Sequence, residues 1–290
     1  MKRGKYTKEK RRLPIWYWAL LILLAGVFTA SGWYLANYCL ESKQQADDYE
    51  DLAALVEVGR PTAAQNAEIS NFSDWHDEMT EGLSTHTTPA QLENLVNADG
   101  ILVEYAPLYE QNPDMAGWIC IDGTGINYPV MHTPDRKDYY LRRSFQGEYS
   151  TWGCIYAREE CDLDAPSDNV TLYGHNMKDG SMFAGLHDYA KQEFWEEHRY
   201  IRFDTLTEHH TYEIFGVFRT TASLGQGFAY HEFTDAYDEV AFHEFIEKCV
   251  SLSFYSTGIL PEYGDKIICL STCDYSLTNG RLVVAAVRIV

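Results

Sequence analysis

The 290-residue chain is 46% hydrophobic and 23% charged, ordinary for a folded protein, and carries a formal net charge of −20. The charge is unevenly spread: residues 1–12 hold seven Lys or Arg and one Glu, so beyond residue 35 sixteen basic residues face forty-two acidic ones. A body that acidic excludes non-specific nucleic-acid binding, since phosphate attraction needs the opposite sign.

Ile15 to Leu35 contains no charged residue. As a helix rising 1.5 Å per residue it would span about 32 Å, enough for a bilayer core. Trp16, Tyr17 and Trp18 stand at one end and Trp33 and Tyr34 at the other, as an interfacial aromatic belt requires. The apolar run is longer than a signal-peptide core and ends in aromatic rather than small residues, so a retained anchor is expected over a cleaved leader. The basic flank predicts a cytoplasmic tail (1–14), a membrane anchor (15–35) and an extracytoplasmic remainder.

Residues 36–99 read as stalk and linker: an acidic, alanine-containing helical stretch to about Ser70, a polar loop from Asn71 to Pro89, and a short helix from Pro89 to Val96. Leu102, Tyr105, Ala106, Leu108 and Tyr109 recur at helical spacing until Asn112-Pro113. From Gly117 the pattern switches to short β-prone runs. Strands are expected at Trp118–Ile121, Asn127–Met131, Gly153–Ala157, Asn169–Tyr173, Tyr200–Phe203, Thr211–Arg219, Lys266–Ser271 and Leu282–Ile289. Helices are expected near Met182–Tyr189, Gln192–His198 and Tyr237–Leu252, the last with Val240, Phe242, Phe245, Ile246 and Val250 near one face. Many short strands with few long helices suggest a closed barrel.

The seven cysteines include no CxxC pair, which argues against a zinc site. An odd number leaves at least one thiol unpaired or intermolecular; Cys154 and Cys161 are candidates to pair. Of the ten histidines, His187, His198, His209 and His210 read as solvated surface.

The chemistry concentrates near the C-terminus. Ile267-Ile268-Cys269-Leu270 is an apolar strand run that turns polar at Ser271-Thr272 and reaches Cys273. A turn ending in Asn279-Gly280 follows, then Arg281 and a second apolar run. If the two runs pair antiparallel, Cys273 and Arg281 share one end of the sheet, and a thiol beside a fixed positive charge is the arrangement of an activated nucleophile. A cysteine in an apolar strand is, on its own, more often a core residue. His175 stands just after the run Val170–Tyr173, where a side chain can face a cleft.

Taken together, YGHNMKDGSMFAGL (173–186), LSTC (270–273) and an arginine eight residues after that cysteine resemble the class B sortases, membrane-anchored cysteine transpeptidases of Gram-positive bacteria. Asn112-Pro113-Asp114, Ile126–Met131, Asp138–Leu141 and Phe145 agree in order, so the resemblance covers roughly residues 100–290. It implies an eight-stranded sortase barrel with peripheral helices, with Cys273 as nucleophile, His175 as the group that protonates the departing amine and later deprotonates the incoming one, and Arg281 as the oxyanion or carbonyl holder. It adds Leu141 and Ser271 as candidate groove residues. Asp274 would orient an amine or line the groove, if it is not simply a solvated loop acid. The segment between Arg219 and Lys266, including the helix after Asp235, would form the specificity wall. The implied donor is a secreted protein with a C-terminal sorting signal like LPxTG or NPxTN, cut after Thr. The implied acceptor is an amine of a peptidoglycan precursor or a pilin lysine. No metal or organic cofactor is called for.

One departure is visible. The family usually has Thr-Leu-x-Thr-Cys before the nucleophile, and Cys269 stands in place of the first Thr. Four residues along a strand separate Cys269 from Cys273 by about 13 Å, too far for a disulfide. The rival readings are another anchored cysteine enzyme, a protease or L,D-transpeptidase, and a non-catalytic binding module. The first shares the Cys/His pair but not the arginine spacing. The second predicts that Cys273→Ala changes nothing.

Overall fold

The computed structural model describes residues 15–60, 95–223 and 225–290. The expected tail (1–14), the loop Asn71–Pro89 and most of the helix beginning at Pro89 lie outside these residues. At the end of that expected helix, Val96 makes an isolated bridge to Leu102 instead.

A single helix, α1 (Ile15–Gly59), runs unbroken through the expected boundary between anchor and stalk. The described chain divides into two units, the first ending at Asp47 and the second spanning Asp48–Val290. In the first, Trp16, Ile22, Phe28 and Trp33 are exposed, consistent with a helix whose apolar side chains face lipid. In the second, the end of α1 is buried along one stripe: Tyr49, Leu52 and Val56, at helical spacing. The Tyr49 hydroxyl donates to the Gly153 carbonyl at 2.8 Å, and its ring meets that of Tyr128 edge-on.

After the short helix α2 (Ala106–Gln111), eight strands close into a barrel: β1 (Met115–Cys120), β2 (Asn127–Met131), β3 (Ile155–Ala157), β4 (Asn169–Tyr173), β5 (Tyr200–Thr205), β6 (Thr211–Thr221), β7 (Ile267–Asp274) and β8 (Gly280–Arg288). Around the barrel the order is β1-β2-β3-β4-β7-β8-β6-β5. The pairs β2/β3 and β4/β7 are parallel and the rest antiparallel. Each expected strand is present. β7 and β6 run further than expected, and β7 carries Cys273 and Asp274 inside the ladder rather than in the following turn.

The uninterrupted apolar run of β8 is explained by burial on both faces. Leu282, Val284 and Ala286 are fully buried on the barrel side, while Val283, Ala285 and Val287 join Ile267 and Cys269 under helix α4 (Glu239–Leu252). Asp238 caps α4, its carboxylate accepting from the Ala241 amide at 2.8 Å. The buried stripe is Phe242, Phe245, Ile246 and Cys249; Val240 and Val250, expected on it, are exposed. Each buried ring in this layer contributes about 1.5–3 kcal/mol of transfer free energy. α4 therefore covers one end of the β7/β8 outer face and leaves the other end open. A 3-10 turn (Ala184–Ala190) and helix α3 (Gln192–Glu197) stand where short helices were expected.

Cys154 and Cys161 are both buried free thiols, not a disulfide. The Cys154 sulfur lies 3.4 Å from the Tyr49 hydroxyl oxygen, and the Cys161 thiol faces the Asn169 carbonyl at 3.7 Å.

Candidate active site

Strand alternation builds the site. On β7 the residues Ile267, Cys269, Ser271 and Cys273 share one face, the first two under α4 and the last two beyond it. Cys273 pairs directly with Arg281 across the antiparallel β7/β8 ladder, so both side chains leave the same face. On the other side of β7 runs β4, with Tyr173 opposite Ser271. The Gly174 amide still donates to the Ser271 carbonyl at 3.1 Å, and the Thr272 hydroxyl donates to the Gly174 carbonyl at 2.8 Å. His175 is thus released at the sheet end that carries Cys273.

The segment after it folds back locally. A Cβ at Gly174 would lie 2.6 Å from Ile155 Cδ1 and from Phe183 Cδ2, so only glycine lets the chain leave the strand here. Asp179 accepts from the Ser181 amide at 3.0 Å and Gly180 turns the chain at φ +86°. Asn176 then bridges to Met182, and the Phe183 amide donates to the His175 carbonyl at 2.9 Å. The motif KDGS is therefore a turn that seats His175.

His175, Cys273 and Arg281 all line one cleft of about 420 Å³, a size suited to a peptide segment. Leu141 and Ser271, the candidate groove residues, line it too, with Tyr156, Arg158, Tyr173 and Tyr230. The His175 Nε2 lies 2.7 Å from the Leu141 carbonyl. A carbonyl only accepts, so Nε2 carries a proton and Nδ1 is the nitrogen free to exchange one. Burial pushes the His175 imidazole below its usual pKa; the Leu141 carbonyl opposes this and Arg142 adds to it. Ser271 is committed to Tyr230, their hydroxyl oxygens 2.5 Å apart, and burial pushes the Tyr230 phenol up to about 12.

Asp274 differs from expectation on both counts. It is buried, not solvated, and lies on the opposite face from Cys273, outside the residues that line the cleft. Its carboxylate accepts from Arg219 and, at 2.8 Å, from the Ser276 amide. Burial alone would raise its pKa, but the contacts with Ser276 and Arg219 outweigh that and hold it below the usual carboxylate range. The long segment after β6 does contribute a wall, through Ala222, Tyr230, His231 and Glu232, while α4 packs on the core and stays clear of the cleft. Ser223, Gln226 and Gly227 line a separate depression with Arg219 and Leu277; Leu224 lies outside the described residues.

The sequence reading missed Tyr156, Arg158, Tyr173 and Tyr230 in the cleft. Tyr173 was within reach, since it ends β4 one residue before Gly174. His187 is also no surface residue, its ring lying 3.1 Å from the Cys273 carbonyl. His210 is buried, and His209 is clasped by Asp204 and Glu104.

A sortase domain profile matches residues 119–289, a span that runs from β1 through β8 and contains all three cleft residues. The chain belongs to the class B sortases. Sortase B of Listeria monocytogenes is 28% identical over 268 residues, 92% of this chain and 94% of that protein. Sortase B of Staphylococcus aureus is 32% identical over 185 residues, 63% of this chain and 73% of that protein. A solved Staphylococcus aureus sortase B–substrate complex superposes with a TM-score of 0.66 at 27% identity, covering 86% of this chain and 98% of that one. The sortase is accordingly a cysteine transpeptidase with the family's closed eight-stranded barrel.

Proposed function

We propose that this sortase cleaves a C-terminal sorting signal resembling LPxTG or NPxTN after its Thr and transfers the new carboxyl end to an amine. The observation that carries this reading is the direct cross-strand pairing of Cys273 with Arg281 in the cleft that also holds His175. The Cys273 thiolate attacks the Thr carbonyl carbon and a C–S bond forms. The negative charge gathers on the carbonyl oxygen, where the Arg281 guanidinium holds it by charge-assisted hydrogen bonds. The tetrahedral species collapses, the C–N bond breaks, and the His175 imidazolium gives its Nδ1 proton to the departing amine. A thioester remains. In the second half an incoming amine attacks it, His175 takes back a proton, and the thiolate leaves.

Leu141, Tyr156 and Tyr173 give the groove apolar lining, and Arg158, Glu159 and Glu232 give it charge. Helix α1 is a candidate membrane span, and sortases are membrane enzymes. We place its N-terminus in the cytoplasm, on the basic residues 1–12, and the barrel outside, where secreted donors and wall precursors meet. The acceptor is an amine of a peptidoglycan precursor.

The test is intact-mass analysis after incubation with a panel of sorting-signal peptides. A thioester adduct on Cys273, absent in Cys273→Ala and discharged by diaminopimelate-type or oligoglycine amines, is the expected result. Discharge only by a pilin lysine would assign the enzyme to pilus assembly. Hydrolysis with no amine incorporated would make it a protease and overturn the proposal.

A further inference from the structure

Beyond Ser271 the β4 side of β7 has lost its partner. The Ser271 carbonyl still receives the Gly174 amide at 3.1 Å, but two residues on, where the Cys273 carbonyl points the same way, the β4 chain has already left the sheet as His175. Side chains occupy the vacated ladder position. Asn176 Nδ2 donates to the Cys273 carbonyl oxygen at 3.0 Å, and His187 Nε2 stands 3.1 Å from the same atom. The two nitrogens are 2.9 Å apart. Asn176 follows His175 directly, and His187 comes from the 3-10 turn Ala184–Ala190. The Tyr275 hydroxyl donates to the Asn176 carbonyl at 3.4 Å.

The chemistry of the three atoms narrows their roles. The carbonyl oxygen has two lone pairs and only accepts; the amide nitrogen only donates; the ring nitrogen does either. Asn176 Nδ2 carries two hydrogens: one serves the Cys273 carbonyl, and the second faces His187 Nε2 at 2.9 Å, where the ring nitrogen accepts. The Asn176 amide thus joins His187 to the Cys273 carbonyl by two hydrogen bonds.

We propose that Asn176 and His187 are positioning residues for the transpeptidation, clamping the Cys273 peptide so that the thiol keeps a fixed spacing from the loop bearing His175. The inference rests on Cys273 being the nucleophile. Neither side chain need touch the substrate. The clamp joins the two chain segments whose mutual distance sets proton transfer between imidazole and the reacting amine, and small misplacements of reacting groups cost rate steeply.

The experiment measures kcat and KM of the full chain in detergent on a quenched sorting-signal peptide with added amine, together with thermal midpoints. The variants are Asn176→Ala, Asn176→Asp, His187→Ala, His187→Gln, the double alanine and Cys273→Ala. Asn176→Ala and His187→Ala are expected to lose about tenfold to a hundredfold in kcat with KM within about twofold. Asn176→Asp, which sets a carboxylate oxygen against the carbonyl, is expected to lose more. His187→Gln, whose amide oxygen can accept from Asn176 Nδ2 in place of the ring nitrogen, is expected to recover most of the rate. The double alanine is expected to fall less than the product of its parents, because both belong to one chain of hydrogen bonds. Should the Asn176 variants fail to fold, the His187 pair alone decides: equal rates for His187→Ala and His187→Gln overturn the clamp. So does a wild-type kcat in Asn176→Ala, or a loss confined to KM, while Cys273→Ala is inactive. Turnover by Cys273→Ala instead overturns the assignment of the nucleophile.

Discussion

His209 offers a prediction whose size and sign follow from its surroundings. Its Nδ1 lies 2.9 Å from Asp204 Oδ2 and its Nε2 lies 3.2 Å from Glu104 Oε1. Both carboxylates are buried, and Asp204 also accepts from the Tyr105 hydroxyl at 2.5 Å. Two acceptors on two ring nitrogens call for two N–H groups, which only the imidazolium has. Burial disfavours that charge, but the bonds to Asp204 and Glu104 outweigh it and raise the His209 pKa to about 9. Against an unfolded value near 6.5 the difference corresponds to about 3 kcal/mol, and the part-exposure of the ring reduces this to about 1–3 kcal/mol. The raised pKa fixes the sign. The contribution is complete below pH 6.5, declines as pH rises, and is gone above pH 9. It clamps the segment before α2 onto the β5–β6 hairpin, which the Leu102 amide also holds through the Leu206 carbonyl at 2.7 Å. Neighbouring His210 is held low by burial and acts below this window. The assay is urea unfolding by tryptophan fluorescence at pH 6, 7.5 and 9, for wild type and His209→Gln. Wild type should lose about 1–3 kcal/mol across the range, and the variant, already weaker at pH 6, should lose little. Equal slopes in the two proteins would refute the reasoning.

Arg281→Lys keeps the charge but not the planar fork, so the rate of acyl-enzyme formation should fall about tenfold to a hundredfold with modest change in KM, read by rapid-quench mass analysis. Tyr49→Phe strips the donor from the Gly153 carbonyl and should cost about 1 kcal/mol in unfolding free energy. Cys269→Thr restores the residue usual in the family, yet here it places a hydroxyl among Phe215, Cys249 and Ala285, and a loss of about 1–2 kcal/mol is expected in the same assay. In a histidine-labelled NMR titration His175 should show a midpoint below 6.5, because burial disfavours its imidazolium; a midpoint above that value would contradict the cleft environment described.

The strands were legible because their β-branched and aromatic runs are short and bounded by turn residues; that β8 is buried on both faces emerged only from the barrel and the packing of α4. The trio was legible as spacing: a thiol at one strand end, an arginine at the next strand's start, a histidine after a third. What escaped was what the sequence encodes only through pairing. Asp274 looked like a loop acid because the end of β7 is polar; the ladder continues through it, and alternation turns its carboxylate toward Arg219. His187 looked solvated because nothing in 184–190 reveals that this turn lies under Cys273. On α4 the expected Phe242, Phe245 and Ile246 are buried; the ends of the stripe differ, with Val240 and Val250 exposed and Cys249 buried, because cysteine is a weaker apolar signal than valine.

The parallel pairing of β4 with β7, and the place of β8 as the last strand, have a consequence for how the enzyme comes into being. His175 is added to the chain nearly a hundred residues before Cys273, and Arg281 follows eight residues after it, so no contiguous stretch holds all three. Cys273 and Arg281 can meet within their own hairpin, but His175 joins them only when β4 pairs with β7. A chain that has formed only its C-terminal hairpin therefore holds the thiol and the guanidinium without the imidazole.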